Sequence, residues 1–524
     1  MATGAALATE LKEGEFRSHM GSISRQSSVY LAGIAFTTAS GYFFKVYLAR
    51  ALGADALGFY ALGMTVVGFF GWFNNFGLTQ SAVRFVASYF ATGQYGLLRG
   101  FLARGLALLF VANLSFAILL VLVGPWVGTH FYHTSGLNPL MKWLALIMLC
   151  GALSGFLGQA LAGFKQIALR TILASFIGSP LTIGITLALV GFGGMGLQGY
   201  VVAQALSAIC VVLLLGVAVW RSAPLAVRSV TTAVSSLPRE VMTFSAAMLG
   251  VGVLEYTLGQ ADAIMLGHFR SPHDVGIYAV ATAMIAFVPI LLQSTNQIFS
   301  PMISDLHSRG QISLLGRIFQ TITKWILGLT LPLVCCIAFF SHAMMRIFGA
   351  AFEPGWIILI IGAVAQLINC GVGPVGYLLL MSGHQKTLIQ IEFAMALLML
   401  ALNRLLIPGW GLQGAAVAAA VTTVGTNAWC LCEVRRRIGI WPYNRSYWRL
   451  LLPSCAALGL VILVRIGLNS LQSGWFQIVI ALTAAYVGFV CVSLFCGMDR
   501  DDRLIVDAVK YRLGWRESVV ESME

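Results

Sequence analysis

Ionisable side chains are what this sequence has least of: Asp, Glu, Lys and Arg together make up only 10% of its 524 residues. Soluble globular domains carry about 25%, because their surfaces must stay hydrated. Hydrophobic residues reach 59%, so most of this chain is matched to a medium other than water. Long polar stretches are missing as well. No gap between apolar runs is wide enough for an extramembrane domain, which disfavours a membrane polymerase or glycosyltransferase holding its catalytic carboxylates there. No Walker phosphate-binding motif, no Gly-x-Ser-x-Gly and no His-Glu-x-x-His occurs, so nothing seats ATP hydrolysis or the corresponding hydrolase chemistry. The ten cysteines form no Cys-x-x-Cys pair and lie almost entirely in apolar runs, which argues against a disulfide framework or a zinc site. No cofactor and no metal are expected. No cleaved secretory signal is expected either: residues 1–26 hold Glu10, Lys12, Glu13, Glu15, Arg17 and Arg25 before any apolar segment begins.

What is present is a succession of apolar runs, each near the ~20 residues that cross a bilayer as a helix. Fourteen can be marked, near 27–48, 56–79, 101–123, 141–162, 168–190, 199–220, 241–267, 275–298, 317–340, 356–381, 387–407, 412–432, 450–467 and 475–496. The expected fold class is an all-α polytopic membrane protein. With the N-terminus inside, 25 of the 32 Lys and Arg residues fall on the cytoplasmic side, as the positive-inside rule requires. The positive excess, Arg435-Arg436-Arg437 included, is therefore read as contact with anionic lipid. No nucleic acid partner is expected.

The middle of the chain echoes its beginning. Gly58-Phe59-Tyr60-Ala61 recurs as Gly276-Ile277-Tyr278-Ala279, Gly196-Leu197-Gln198-Gly199 as Gly411-Leu412-Gln413-Gly414, and Gly163-Phe164-Lys165-Gln166 as Gly383-His384-Gln385-Lys386. The offsets, 218, 215 and 220, are nearly one value. Six spans is an even number, so both copies keep one orientation. This predicts two parallel six-helix lobes with a site between them, an arrangement used for alternating access. The expected organisation is a cytoplasmic tail over 1–26, a first lobe over 27–222 and a cytoplasmic linker over 223–240. A second lobe over 241–434 follows, then a basic linker with two further helices over 435–498 and a cytoplasmic amphipathic tail over 499–524.

Leu48-Ala49-Arg50-Ala51-Leu52-Gly53, Gly58-Phe59-Tyr60, Phe76-Gly77-Leu78 and Val83-Arg84-Phe85-Val86-Ala87 follow in order near the start, with Asp262-Ala263-Ile264-Met265-Leu266-Gly267 and Val275-Gly276-Ile277-Tyr278 in the second half. This pattern resembles the polysaccharide biosynthesis, or Wzx-type oligosaccharide flippase, family of the multidrug/oligosaccharidyl-lipid/polysaccharide (MOP) exporter superfamily. One departure is Asn74-Asn75, where that family often carries an acidic residue. The resemblance implies a non-enzymatic transporter in the bacterial inner membrane with both termini cytoplasmic. Its substrate would be a polyprenyl-diphosphate-linked oligosaccharide, moved to the periplasmic leaflet for O-antigen or exopolysaccharide export. The partners implied are membrane lipid, a proton or sodium gradient, and a polysaccharide polymerase.

Charges within spans cost roughly 2.5–3.5 kcal/mol at the bilayer centre, which makes them site candidates. Glu255 falls near the middle of span seven, and Asp262 lies two helical turns later on the same face. Lys45 stands in the outer part of span one, and its repeat equivalent is Asp262. A Lys45–Asp262 latch broken by the substrate's diphosphate, with Glu255 and Asp262 coupling an ion, is one expectation. Snorkelling of Lys45 to the interface and an aqueous helix end at Asp262 is the other. Arg84 and Arg50 are candidates for gripping the diphosphate, beside ordinary interfacial anchoring. Gln159, Gln198, Gln204, Gln260, Gln293, Asn296, Gln366 and Asn369 line a sugar cavity or bond helix to helix. Gly178-Ser179-Pro180 and Gly371-Val372-Gly373-Pro374 fall in mid-span of the fifth and tenth helices, expected at equivalent places in the repeat, and Pro180 and Pro374 are read as hinges. His268, His273, His342 and His384 lie at scattered loop ends without ligand spacing. A cation-coupled drug exporter of the same superfamily and a lipid II flippase stay open as alternatives, with a membrane polymerase or glycosyltransferase as the rival of another class.

Overall fold

The computed structural model describes residues 2–74, 77–228, 256–467 and 474–495. Glu255, the tail expected over 499–524 and most of the 223–240 linker lie outside the described residues. Among those described the chain is helical and has no strand. It divides into two compact units, Met1–Gly276 and Ile277–Glu524.

The first unit opens with α1, Ala2–Asn74, which Gly53 cuts in two with φ 80 and ψ 176. That backbone region is essentially closed to residues bearing a Cβ, so the glycine closing the Leu48–Gly53 motif is required by the turn. α2, Leu78–Ala91, starts after a second left-handed glycine, Gly77 (φ 66). α3, Tyr95–Trp126, α4, Met141–Gly163, and α6, Gly196–Ser222, frame the bundle. Between them runs α5, Ile167–Phe192, a rod in which Ile172–Gly178 and Leu187–Phe192 are wound as π-helix. The core of the unit is apolar and aromatic: Phe85, Phe101 and Phe156 are buried, with ring centroids 6.0 and 5.7 Å apart. Small residues set the spacing, as expected where lipid removes the hydrophobic drive between helices. Gly105 backs onto the Phe156 ring and Gly163 onto Val86. Helix α7, residues 256–269, and the first turn of α8, Pro272–Ile285, complete this unit.

In the second unit α8 leads into α9, Ile290–Ser308, through a 56° bend. α10, Ile312–Arg346, is the central long helix. α11, Trp356–Val372, and α12, Val375–Met381, are separated by Gly373-Pro374. α13, Gln385–Trp410, and α14, Leu412–Arg437, follow. The last two, α15, Leu451–Gly467, and α16, Gly474–Phe495, lean on α10. There Arg465 donates to the Phe339 carbonyl at 2.6 Å and the Tyr486 hydroxyl to that of Leu329 at 2.9 Å. The linker before them is tied down by Gln320, which donates to the Trp441 carbonyl at 3.0 Å. In the basic cluster Arg437 pairs with Glu433 at 2.5 Å, and Arg435 lies 4.8 Å from the Trp441 ring centroid.

Eleven helices among the described residues are long and apolar enough to cross a membrane, or twelve when the bent pair counts as one span. The expected fourteen differ from these at two places. Residues 32–71 are one of the eleven although Gly53 divides them, and the seventh expected span has residues 241–255 outside the described chain.

One expectation is corrected. The two glycine–proline segments are not counterparts, since Pro180 and Pro374 lie 194 residues apart rather than the repeat's 215–220. Pro180 sits in α5, whose partner by order is the unbroken α13, and Pro374 ends α11, whose partner is the unbroken α4.

Candidate functional site

The feature most clearly built for close contact lies in the first unit, where α1 resumes after Gly53 and where α8 begins. A Cβ on Gly58 would lie 1.7 Å from the Pro272 carbonyl oxygen, and one on Gly276 2.0 Å from that of Ala54. The obstacle in both cases is backbone, so only glycine fits. Ala54 and Pro272 are 218 residues apart, as are Gly58 and Gly276. Each copy of the repeat thus offers the same glycine to the same carbonyl of the other, the self-complementary logic of a two-fold interface. At the same offset, His273 Nδ1 stands 3.4 Å from Asp55 Oδ2.

Helix α7 extends this seam along the second stretch of α1. The Tyr256 hydroxyl donates to the Thr65 carbonyl, and Gly68 lies against the Tyr256 ring. The Thr65 and Tyr132 hydroxyls are 3.2 Å apart. Gly267 leaves room for Leu62 and Tyr132. His268 Nδ1 reaches the Phe131 carbonyl at 2.8 Å, so this nitrogen carries the proton.

The residues singled out from sequence are spread along the same unit. Lys45 and Arg50 are exposed on α1, Arg50 three residues before the Gly53 break. Asp262 is half-buried on α7. No Lys45–Asp262 ion pair forms among the described residues. Arg84 is exposed on α2, its guanidinium 5.4 Å from the Phe85 ring centroid. Glu255 lies outside the described residues.

Four of the amides make bonds within their units. Gln159 accepts from Arg170 at 3.2 Å, Gln204 donates to the Tyr200 hydroxyl at 2.9 Å, and Asn369 donates to Gln366 at 2.9 Å. Tyr200 in turn lies 5.0 Å from Tyr60, centroid to centroid, giving the first unit a polar aromatic interior. Among the described residues no group of three or more His, Cys, Asp or Glu side chains is placed to hold a metal ion. The crossing itself went unread in the sequence. The signal was available, because Asp55 and His273 obey the repeat offset that the Gly58 and Gly276 motifs reveal.

Helices of this length and apolarity, joined by short turns, define a multi-pass membrane protein, and its fold recurs in a solved flippase and in solved transporters. A lipid II flippase MurJ in an inward closed conformation superposes with a TM-score of 0.69 at 12% identity, covering 93% of this chain and 99% of that one. An inward-facing multidrug resistance MATE family transporter of the MOP superfamily gives 0.65 at 13% identity, over 78% and 98%. A MOP superfamily transporter from Pyrococcus furiosus gives 0.55 at 14%, over 80% and 95%. No curated protein sequence matches the chain. The family described as polysaccharide biosynthesis protein matches residues 47–354, and the chain belongs to that family.

Proposed function

We propose that this protein is a flippase that carries a polyprenyl-diphosphate-linked oligosaccharide from the cytoplasmic to the periplasmic leaflet of a bacterial inner membrane, by alternating access. The observation that carries the reading is membership of the polysaccharide biosynthesis family in a chain sharing its fold, over 93% of its length, with a lipid II flippase. The multidrug transporter covers less of the chain, which favours the lipid-linked substrate over a drug. On this reading the protein performs no covalent chemistry. Energy comes from a proton or sodium gradient, and a polysaccharide polymerase takes the product.

The charge-bearing residues then take roles. The substrate's diphosphate is anionic, and Arg84 supplies a planar, bidentate grip. Lys45 and Arg50 offer positive charge on the opposite side of the membrane. Asp262 and Glu255 carry the coupling ion, and Lys45 and Asp262 pair in a state other than the one described. Pro180 and Pro374 are where helices yield. The glycine crossing serves as the outer closure, at the end of the helices that the positive-inside reading assigns to the periplasmic side.

Leaflet-resolved transport in proteoliposomes containing a diphosphate-linked polyprenyl oligosaccharide tests this reading. The wild type is expected to move the lipid, Glu255→Gln to lose transport while folding normally, and Lys45→Ala to lose most of it. Efflux of a small cation with no lipid movement would instead place the protein among drug exporters. Normal transport by Lys45→Ala would remove the latch.

A further inference from the structure

The first unit has a cavity of about 830 Å³ on the flank formed by α3, α4 and α6, and none of the residues assigned a role above lines it. This lies within the size range of small-molecule sites, ~300–1,000 Å³. Its walls are apolar throughout, apart from Arg99 and Arg228. From α3 the stripe Arg99, Leu102, Leu106 and Phe110 faces it, and Phe156 of α4 makes the floor. Gly216 opens the α6 wall: a Cβ there would meet nothing within 4 Å. Phe110, Val217 and Trp220 at the rim are 45%, 52% and 59% exposed, so the cavity is a groove open sideways to lipid rather than a closed core void.

Length and charge identify what fits it. Arg99 and Phe110 are eleven residues apart, about 16 Å along a helix at ~1.5 Å per residue. That is half of the ~30 Å hydrocarbon core, so the groove is one leaflet tall. Arg228 sits at the same end as Arg99, fixed by hydrogen bonds from its guanidinium to the Ala223 carbonyl (2.8 Å) and the Arg221 carbonyl. An arginine presents five donors, so donors remain beyond those two bonds.

We infer that this groove binds one anionic phospholipid of the cytoplasmic leaflet, its acyl chain along α3 and α6 and its phosphate between Arg99 and Arg228. A chain ending at the bilayer midplane fills it. A polyprenyl chain is several times longer than the groove, which is why a resident phospholipid rather than the transported lipid is assigned here.

Native mass spectrometry of the full-length protein in detergent, with phosphatidylglycerol and phosphatidylcholine of identical chains added at equal concentration, tests the site. The expected result is one retained phosphatidylglycerol, preferred by about thirtyfold, given two basic contacts. Arg99→Gln should cut that preference several-fold while leaving the Arg228 bonds in place. Gly216→Phe should fill the groove and abolish retention of either lipid with both arginines intact, its fold checked by an unchanged melting temperature. Equal retention of the two lipids by the wild type, or full retention by a folded Gly216→Phe, would overturn the site. Retention of a polyprenyl phosphate in preference to phosphatidylglycerol would overturn the assigned occupant.

Discussion

α5 and the α11–α12 pair carry the same ingredients, a proline with glycine close before it in mid-span, and they resolve them differently. Pro180 has no N–H for the Phe176 carbonyl. The turns before it widen into the π segment Ile172–Gly178, and the rod continues, with Ser179 keeping helical angles of φ −65 and ψ −50. The Thr182 hydroxyl donates to the Gly178 carbonyl at 2.9 Å and that of Thr186 to the Thr182 carbonyl at 2.7 Å, adding bonds along the same rod. Before Pro374 stands Gly373, which leaves the helix at φ 78 and ψ −160, and two helices result. Proline disfavours helical geometry in the residue before it. A serine tolerates the strain and bends the hydrogen-bond register, whereas a glycine escapes through a region barred to other residues. The break is decided by the residue preceding the proline more than by the proline.

Gly373→Ala should have the largest effect. Its Cβ would stand 2.3 Å from Thr323 Oγ1 in a backbone region barred to alanine, and such strain costs about 3 kcal/mol. Thermal unfolding in detergent should show a clearly lowered midpoint, and an unchanged one would show that the break is not locked by Gly373. The two proline substitutions should then differ in sign. Pro180→Ala regains a helical bond and should stabilise by at least about 1 kcal/mol, with slower hydrogen exchange over 172–178. Pro374→Ala leaves the break in place and should cost up to about 1 kcal/mol by freeing the unfolded chain. Equal effects of one sign would dissolve the contrast. The smallest expected change is Ser179→Gly, which gives α5 the escape that Gly373 uses. It should cost about 0.5 kcal/mol and speed exchange over 172–186, and unaltered exchange would point back to the proline itself.

Fold class was legible from scarcity alone, since a chain with 10% charged residues has few places to be but a bilayer. Span positions followed because a hydrocarbon layer imposes a length. Gly53 and Gly77 were visible as motif residues, and the structure supplies their reason, positive φ at two turns. The repeat echo was read as architecture. It was also a contact map in miniature, with Gly58, Gly276, Asp55 and His273 meeting at one offset. What stayed hidden depends on helix rotation. Whether Lys45 and Asp262 share a face of a cavity cannot be read from their spacing, because each depends on where its helix is turned by its neighbours. The groove beside Gly216 was equally silent, as a glycine in an apolar run carries no mark of what it faces. The proline pairing failed for a simpler reason: likeness of composition was given more weight than the offset.

On the proposed function, transport requires the crossing at Ala54–Gly58 and Pro272–Gly276 to open. In a background lacking the ten native cysteines, Asp55→Cys combined with His273→Cys would place two thiols where side chains now meet. Flipping of the lipid-linked oligosaccharide in proteoliposomes, measured before oxidation, after it and after reduction, tests the claim directly. Transport that stops on cross-linking and returns on reduction is the result expected. Transport that continues through a fully cross-linked protein would contradict it.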